Sequence, residues 1–297
     1  MTSFTASSAL VNVVDGAELC LVRLLAESAA PGSIRPAFVQ DCETCIAHSD
    51  ATRLIQTIIS EQGAIAALVS LDEEAVSAIS LLAACLDRVQ SPSSGNMLIQ
   101  LADSIIAISA ATSGTTTKAV SLLATLYNMR SNPAEKVALL VKMIQLAASD
   151  SGDLLKAENS VLGKWMDPSQ LTKMLDEWKV SPAGRRELFR AAADGSQQSA
   201  NTRQQFTLLV TETYSNSDVD ASGLEAAKQA AVGAIRDPVS LFVQQRKILT
   251  LPAVLALEAS DGASIFCFVS FYRAINSMQG NVYRQWIVVG ESILIGM

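Results

Sequence analysis

The sequence has only one histidine, His48, in 297 residues. General-base catalysis and catalytic triads depend mainly on histidine, so any such site would have to include this side chain. No serine lies in a Gly-x-Ser-x-Gly motif, and the stretch 114–118 lacks the Gly-Lys pair of a phosphate-binding loop. The sequence therefore predicts no catalytic residue and no cofactor, and we expect a protein that is not an enzyme.

Charged residues are also scarce, at 17% of the sequence, against the ~25% typical of soluble domains. The mean hydropathy is +0.30, so apolar surface must be covered by core, lipid or another protein. No window offers the ~20 uninterrupted apolar residues of a membrane span; the closest, 286–297, is too short and contains Glu291. We therefore expect partner proteins, and not a membrane, to cover this surface.

Features of a secreted protein are lacking as well. No basic residue precedes the first apolar stretch, and Asp15 interrupts that stretch. The N-terminal residues therefore do not have the pattern of a signal peptide. The five cysteines are an odd number and indicate reduced thiols instead of a disulfide framework. A net charge of −7 argues against the chain as a whole binding a phosphate backbone. We expect a cytoplasmic protein, and direct RNA contact stays open.

Helical periodicity dominates what is present. Val137, Leu140, Val141 and Ile144 recur at intervals of three and four residues, the stripe of a half-buried helix. A capping residue followed by proline marks a helix start, because the missing N–H of proline would be unpaired there anyway. Such starts occur at Asn132-Pro133, Asp167-Pro168, Ser181-Pro182 and Asp237-Pro238, and Leu251-Pro252 marks a further one.

The breaks between periodic segments divide the chain into many short helices. Short connections make neighbouring helices pack antiparallel. No sequence period recurs, so any repeat is structural. We therefore expect an all-α, right-handed solenoid of helical hairpins, although segments 265–272 and 286–289 could be strands or helices. Helices are predicted at residues 7–26, 35–47, 51–70, 73–89, 96–110, 115–129, 133–149, 197–214 and 221–236.

Cys42, Cys45 and His48 form the one cluster that is similar to half of a metal site. Residues three apart share a helix face, so two thiolates and an imidazole could bind one zinc ion. A structural zinc site usually needs a fourth ligand and a second ligand pair, which the sequence does not supply. We predict no metal, and a metal-dependent helical enzyme built on these residues is kept as an alternative that zinc analysis would test.

Basic residues cluster in two places along the second half of the chain. Either cluster could contact an acidic partner or ribosomal RNA, and the alternative is a solvated helix face. The candidate contact residues are Arg185, Arg186, Arg190, Arg246 and Lys247. The aromatic residues of the same half are expected to be core between adjacent helices; they are Trp165, Trp178, Phe189 and Phe206.

The segment 169–189, SQLTKMLDEWKVSPAGRRELF, resembles the subunit M family of eukaryotic translation initiation factor 3. In that family an acidic residue and a tryptophan end a helix before a polar turn and a new helix, and Glu177-Trp178 matches this pair. The segment 226–258 is similar to the core of the PCI domain, the helical module shared by the proteasome lid, the COP9 signalosome and this initiation factor. Overall the resemblance covers residues 118–258.

The resemblance implies a non-catalytic scaffold subunit that supports recruitment of mRNA and initiator tRNA to the small ribosomal subunit. Its expected partners are other PCI-type subunits, with the ribosomal subunit contacted through the complex. It implies a helical-repeat region at 1–196 and a truncated PCI domain at 197–297 that lacks most or all of the winged helix. A PCI subunit of the COP9 signalosome or proteasome lid is the alternative, and co-purifying proteins would separate the two.

Overall fold

The computed structural model describes residues 6–90, 93–149, 153–156, 161–196, 199–236, 248 and 250–259. Within these ranges every regular element is a helix, which confirms the all-α class. The chain forms two compact units, Met1–Gly163 and Lys164–Met297. The boundary predicted at 196/197, between a helical-repeat region and a PCI domain, stays a prediction. Asp237-Pro238 and the segments 265–272 and 286–289 lie outside the described residues.

The first unit is a stack of helices in two layers. In one layer α3, α5 and α7 are successive neighbours, and in the other α1, α4, α6 and α8 follow one another. Helices that are adjacent in sequence join the layers, which is the arrangement of a helical solenoid. Its described helices are α1 (Ala6–Ser28), α2 (Phe38–Ala47), α3 (Ala51–Ser60), α4 (Gln62–Ser70), α5 (Ala75–Arg88), α6 (Ser93–Ala111), α7 (Thr116–Met129), α8 (Pro133–Ser149) and α9 (Asp153–Lys156).

The prediction of one helix over 51–70 is wrong, because the helix is interrupted at Glu61. This residue has φ −94° and ψ 92°, an extended conformation between α3 and α4. Its carboxylate, 8% exposed, accepts a hydrogen bond from Arg35 Nε at 2.7 Å. Two residues later, a Cβ at Gly63 would lie 2.3 Å from the carbonyl oxygen of Ser33. The break thus sends α3 and α4 into different layers and brings the start of α4 against the loop between α1 and α2.

Helix α8 is buried more completely than its sequence predicts. Asn132 caps its start as predicted, since its Oδ1 accepts from the Ala134 amide at 3.0 Å. The predicted stripe is buried, and so are Leu139, Met143 and Leu146, which lie on other sides of the helix. The reason is that α6, α7 and α9 all contact α8. The half-buried pattern therefore understates the role of this helix in the core.

In the second unit, successive helices pack against one another as helical hairpins. Helices α12, α13 and α14 pack in sequence order, and α15 contacts both α13 and α14. A 3₁₀ turn at Ala256–Ala259 follows α15. The described helices are α10 (Val161–Trp165, which crosses the division between the units), α11 (Pro168–Glu177), α12 (Pro182–Gly195), α13 (Ala200–Glu212), α14 (Ala221–Arg236) and α15 (Pro252–Leu255).

Two of the helix starts predicted in this unit, at Asp167-Pro168 and Ser181-Pro182, are confirmed by their caps, and a helix also begins at Pro252 as predicted. Asp167 Oδ1 accepts from the amides of Ser169 and Gln170 at 2.8 and 3.3 Å. Ser181 Oγ accepts from the Gly184 amide at 3.3 Å. Each cap satisfies amides that have no partner inside the helix.

The aromatic prediction is confirmed for two of its four residues. Phe189 and Phe206 are buried, and their ring centroids lie 6.3 Å apart. Trp165 and Trp178 are only partly buried. The ring pair therefore joins α12 to α13. None of the described helices in either unit combines the length and apolar character that a bilayer crossing requires.

Candidate functional site: the arginine cluster of the second unit

Three arginines lie within the first nine residues of α12. Arg186 and Arg190 are four residues apart and share one face of the helix, whereas Arg185 lies on the neighbouring face. All three side chains are partly buried. Guanidinium groups stay charged in proteins, so their partners decide what the cluster does.

Arg185 fastens the start of α12 to the end of α11. Its Nη2 donates to the Leu175 carbonyl and its Nε to the Val180 carbonyl, both at 3.0 Å. Its Nη1 lies 2.5 Å from Asp176 Oδ1. Beside the Leu175 carbonyl, in the last turn of α11, the cation also interacts favourably with the negative end of the helix dipole. The connection between the helices bends at Lys179, which has φ 52°.

Arg186 joins α12 to the turn that follows α13. Its Nη2 donates to Asp218 Oδ2 at 2.7 Å, and its guanidinium carbon lies 3.9 Å from the centroid of the Tyr214 ring. The side chain is 15% exposed, and its Nε has no hydrogen-bond partner among the described residues. A cation on an aromatic face that is shielded from water contributes on the order of 2 kcal/mol.

Tyr214 is the centre of this arrangement. The ring is 3% exposed, and its hydroxyl accepts a hydrogen bond from Arg190 Nη2. On the α14 side, a Cβ at Gly223 would lie 2.8 Å from Tyr214 Cε1. The absence of a side chain at Gly223 therefore leaves room for the ring, and both arginines of the shared face depend on it.

The turn between α13 and α14 is held by two carboxylates. Asp218 Oδ1 accepts from the amide and the hydroxyl of Ser215 at 2.6 and 2.8 Å. These bonds, with the one from Arg186, lower the pKa of Asp218. Asp220 Oδ1 accepts from the Gly223 amide at 2.7 Å, which caps α14 and lowers the pKa of Asp220.

The structure brings the predicted residues Arg185, Arg186 and Arg190 together on α12, and each has partners inside the second unit. A contact with a second molecule stays a prediction for these three. Arg246 and Lys247 lie outside the described residues. Sequence reasoning missed Tyr214 and Asp218, because Asp218 is 32 residues from Arg186. The four-residue spacing of two arginines was the one local signal that they share a partner.

The residues of the metal hypothesis do not form a ligand set. Cys42 and Cys45 are 0% and 2% exposed, and burial, with the nearby Cys45, raises the pKa of Cys42 to about 12. His48 is exposed beyond the end of α2, with Nδ1 2.8 Å from the Thr44 carbonyl. Within the described ranges, no three His, Cys, Asp or Glu side chains converge. The thiols thus belong to the core and the imidazole to the surface.

A partly buried ion pair lies beside an open cavity in the first unit. The Glu18 side chain is 4% exposed and accepts from Arg88 Nη2 and, at 3.4 Å, from Cys85 Sγ. The cavity next to Arg88 has a volume of about 400 Å³, and Asp50 supplies a carboxylate to its wall. Asp50 caps α3 by accepting from the Arg53 amide at 2.9 Å. Both charged groups of the cavity therefore already have structural partners.

No protein-family model matches the chain, and no curated protein matches it at a significant level. The resemblance of segments 169–189 and 226–258 to the subunit M family therefore stays a prediction. What the geometry establishes is local: in the second unit, arginines of α12 organise the connections before and after it.

Proposed function

We propose that the chain is a non-catalytic, cytoplasmic scaffold subunit of the translation initiation factor 3 complex. In this role it supports recruitment of mRNA and initiator tRNA to the small ribosomal subunit, through contacts with other PCI-type subunits. The observation that carries the proposal is the resemblance of segments 169–189 and 226–258 to the subunit M family.

The local structure of α11 and α12 supports the proposal. Helix α11 ends at Glu177, and Trp178 is its C-terminal capping residue. A short turn with Lys179 at φ 52° follows, and Ser181 caps α12. This is the helix, polar turn and new helix that the resemblance implies around its tryptophan. The closeness of the correspondence supports the family assignment, because both helix boundaries fall at the residues that carry the resemblance.

The architecture of the first unit suits a scaffold. In a two-layered helical solenoid, each added hairpin adds exposed surface to which another protein can bind. The core is continuous, from Leu25 of α1 to Ile144 of α8, and both side chains are fully buried. Such a unit keeps its shape while different parts of its surface contact different subunits. We expect its partners to be proteins that bind helix faces.

Affinity purification of the tagged full chain from eukaryotic cells, followed by quantitative mass spectrometry, tests this function. We expect subunits of the initiation factor and proteins of the small ribosomal subunit to be enriched over a tag-only control. Enrichment of deubiquitinase subunits instead would favour the COP9 signalosome or proteasome lid. Recovery of neither set would refute a PCI-type scaffold role.

A further inference from the structure

The turn between α13 and α14 presents an exposed serine to solvent. Ser217 lies at the tip of this turn, and its Oγ is 3.1 Å from Ser215 Oγ. Carboxylates follow it one and three residues later, at Asp218 and Asp220. An exposed hydroxyl followed by carboxylates is complementary to a kinase with a basic substrate groove.

A chain of hydrogen bonds connects this serine to a guanidinium. The Asp218 carboxylate bridges the two sides, since Oδ1 accepts from Ser215 and Oδ2 accepts from Arg186. Arg190 lies on the same face of α12 and donates to Tyr214, whose ring contacts Arg186. Ser217 is therefore connected to Arg186 through two groups, the Ser215 hydroxyl and the Asp218 carboxylate.

We propose that Ser217 is a phosphorylation site and that Arg186 binds the phosphate in place of Asp218. In the reaction a protein kinase transfers the γ-phosphoryl group of ATP to Ser217 Oγ. The new O–P bond forms as the bond to the β-phosphate breaks, the kinase's base takes the hydroxyl proton, and ADP leaves. The proposal goes beyond the scaffold function and does not depend on it.

The exchange of partners follows from charge. Phosphoserine carries about −1.5 to −2 at pH 7 and has three strong acceptor oxygens, whereas Asp218 carries a single charge. Guanidinium binds phosphate through paired, charge-assisted hydrogen bonds, and Arg186 Nε is a buried donor without a described partner. Repulsion between phosphate and Asp218 adds to this preference. Once Asp218 leaves, the Ser215 amide loses its acceptor and the turn opens.

Ser70 provides an internal comparison. It is exposed at the end of α4 and is followed by Asp72, Glu73 and Glu74. Asp72 is paired with Lys118 at 2.5 Å, and both of these side chains are exposed. A kinase that responds only to carboxylates would modify Ser70 as well as Ser217. Only a phosphate at Ser217 has Arg186 as a partner.

The first experiment incubates the purified full chain with an acidophilic serine kinase and Mg-ATP and locates phosphate by peptide mass spectrometry. We expect modification at Ser217, lost in Ser217→Ala and kept in Ser222→Ala, a matched change at an exposed serine of α14. Phosphate confined to Ser70, or no phosphate at all, would overturn the proposal.

The second experiment measures the pKa of the phosphoserine by ³¹P NMR. The reference is a peptide of residues 211–222 phosphorylated at Ser217, which contains the same carboxylates without the arginines. In the folded chain we expect a pKa lower by about 1, because a guanidinium favours the dianion. An equal or higher pKa would refute binding by Arg186.

Variants assign the partner of the phosphate. Arg186→Gln is expected to return the pKa to the peptide value, whereas Arg185→Gln, the neighbouring arginine, keeps it low. If the pKa of the phosphoserine is the same in Arg186→Gln as in the wild type, the proposal is contradicted. Circular dichroism shows whether Arg186→Gln keeps its helices; if it unfolds, the comparison between wild type and peptide decides alone.

Discussion

The cores of the two units contain different kinds of side chain. In the described part of the first unit the buried side chains are mostly aliphatic, with Phe38 and Tyr127 as aromatic exceptions. The second unit packs Phe189 against Phe206 and adds Tyr214 and the alanines of α14. An aliphatic core can be repacked in several ways, whereas ring pairs prefer particular orientations, so that an aromatic pair restricts how its two helices pack. The comparison indicates that the second unit depends more on individual pairs.

Charge also separates the units. Acidic and basic residues balance in 164–297, so residues 1–163 carry the whole net charge of −7. Ion pairs on the first unit's surface, such as Lys118–Asp72, are 46% and 81% exposed and contribute little to stability. In the second unit Arg186 is shielded and connects separate segments of the chain. The first unit contains shielded charges as well, at Glu18, Glu61 and Arg130, so the units differ in net charge and not in whether they bury charged groups.

The largest effect is expected at the ring pair. Phe206 is fully buried, so Phe206→Ala should lower the free energy of unfolding by about 3–5 kcal/mol. Denaturant unfolding measures this loss. A double-mutant cycle of Phe189→Leu and Phe206→Leu should give a coupling of about 0.5–1.5 kcal/mol. A coupling near zero would show that the two rings contribute only buried apolar area, as aliphatic side chains do, and no specific ring–ring interaction.

A large effect is also expected at the break between α3 and α4 of the first unit. In Gly63→Ala the new Cβ would overlap backbone atoms of Ser33, which cannot move without the loop, so we expect a loss of about 1–3 kcal/mol. The matched control is Gly95→Ala in α6, whose Cβ would meet only Glu135 Oε1 at 3.5 Å. That variant should be neutral or up to about 1 kcal/mol more stable. Equal thermal stability of the two variants would contradict the close approach.

A smaller effect is expected between α13 and α14. Gln204 Nε2 donates to the Ala230 carbonyl at 2.9 Å, and a Cβ at Gly233 would occupy the position of the Gln204 amide. Gly233→Ala should therefore break this bond while gaining helix propensity, so its net effect is small. In a Gln204→Ala background the same change should stabilise the chain by about 0.5–1 kcal/mol. If both backgrounds respond equally, the two residues are not coupled.

The smallest effect concerns acid stability. The pKa of Asp218 is lowered by Ser215 and Arg186, and that of Asp72 by Lys118, from an ordinary value of 3.8. Each lowered pKa contributes stability that is present above pH ~4 and is lost as the pH falls through the folded value. Asp218→Asn should reduce the loss of stability on acidification more than Asp72→Asn does, since Asp218 has more partners. Unfolding midpoints measured between pH 3 and 6 test this order. A larger reduction in Asp72→Asn would contradict it.

Local sequence signals predicted much of the fold. The caps at Asn132, Asp167 and Ser181 need only residues within one helical turn, so they could be identified without the structure. The break at Glu61 could not, because it depends on Arg35, 26 residues earlier in the chain. Periodicity alone favours one continuous helix there.

The candidate site was predicted in part for the same reason. The basic cluster at Arg185, Arg186 and Arg190 is visible in the sequence, but the partners of Arg186 are not. Tyr214 and Asp218 become its neighbours only when α12 and α13 pack antiparallel. Sequence pattern thus locates charges, whereas the tertiary structure decides whether they face solvent or one another.

Co-sedimentation with ribosomal complexes tests the proposed scaffold role most directly. Lysate from cells that express the tagged full chain is separated on a sucrose gradient, and the chain is followed by immunoblot. We expect the chain to migrate with the small ribosomal subunit and the initiation factor, and to leave these fractions when the factor is depleted. A chain that stays in the light fractions, or that migrates with deubiquitinase subunits, would contradict a role in translation initiation.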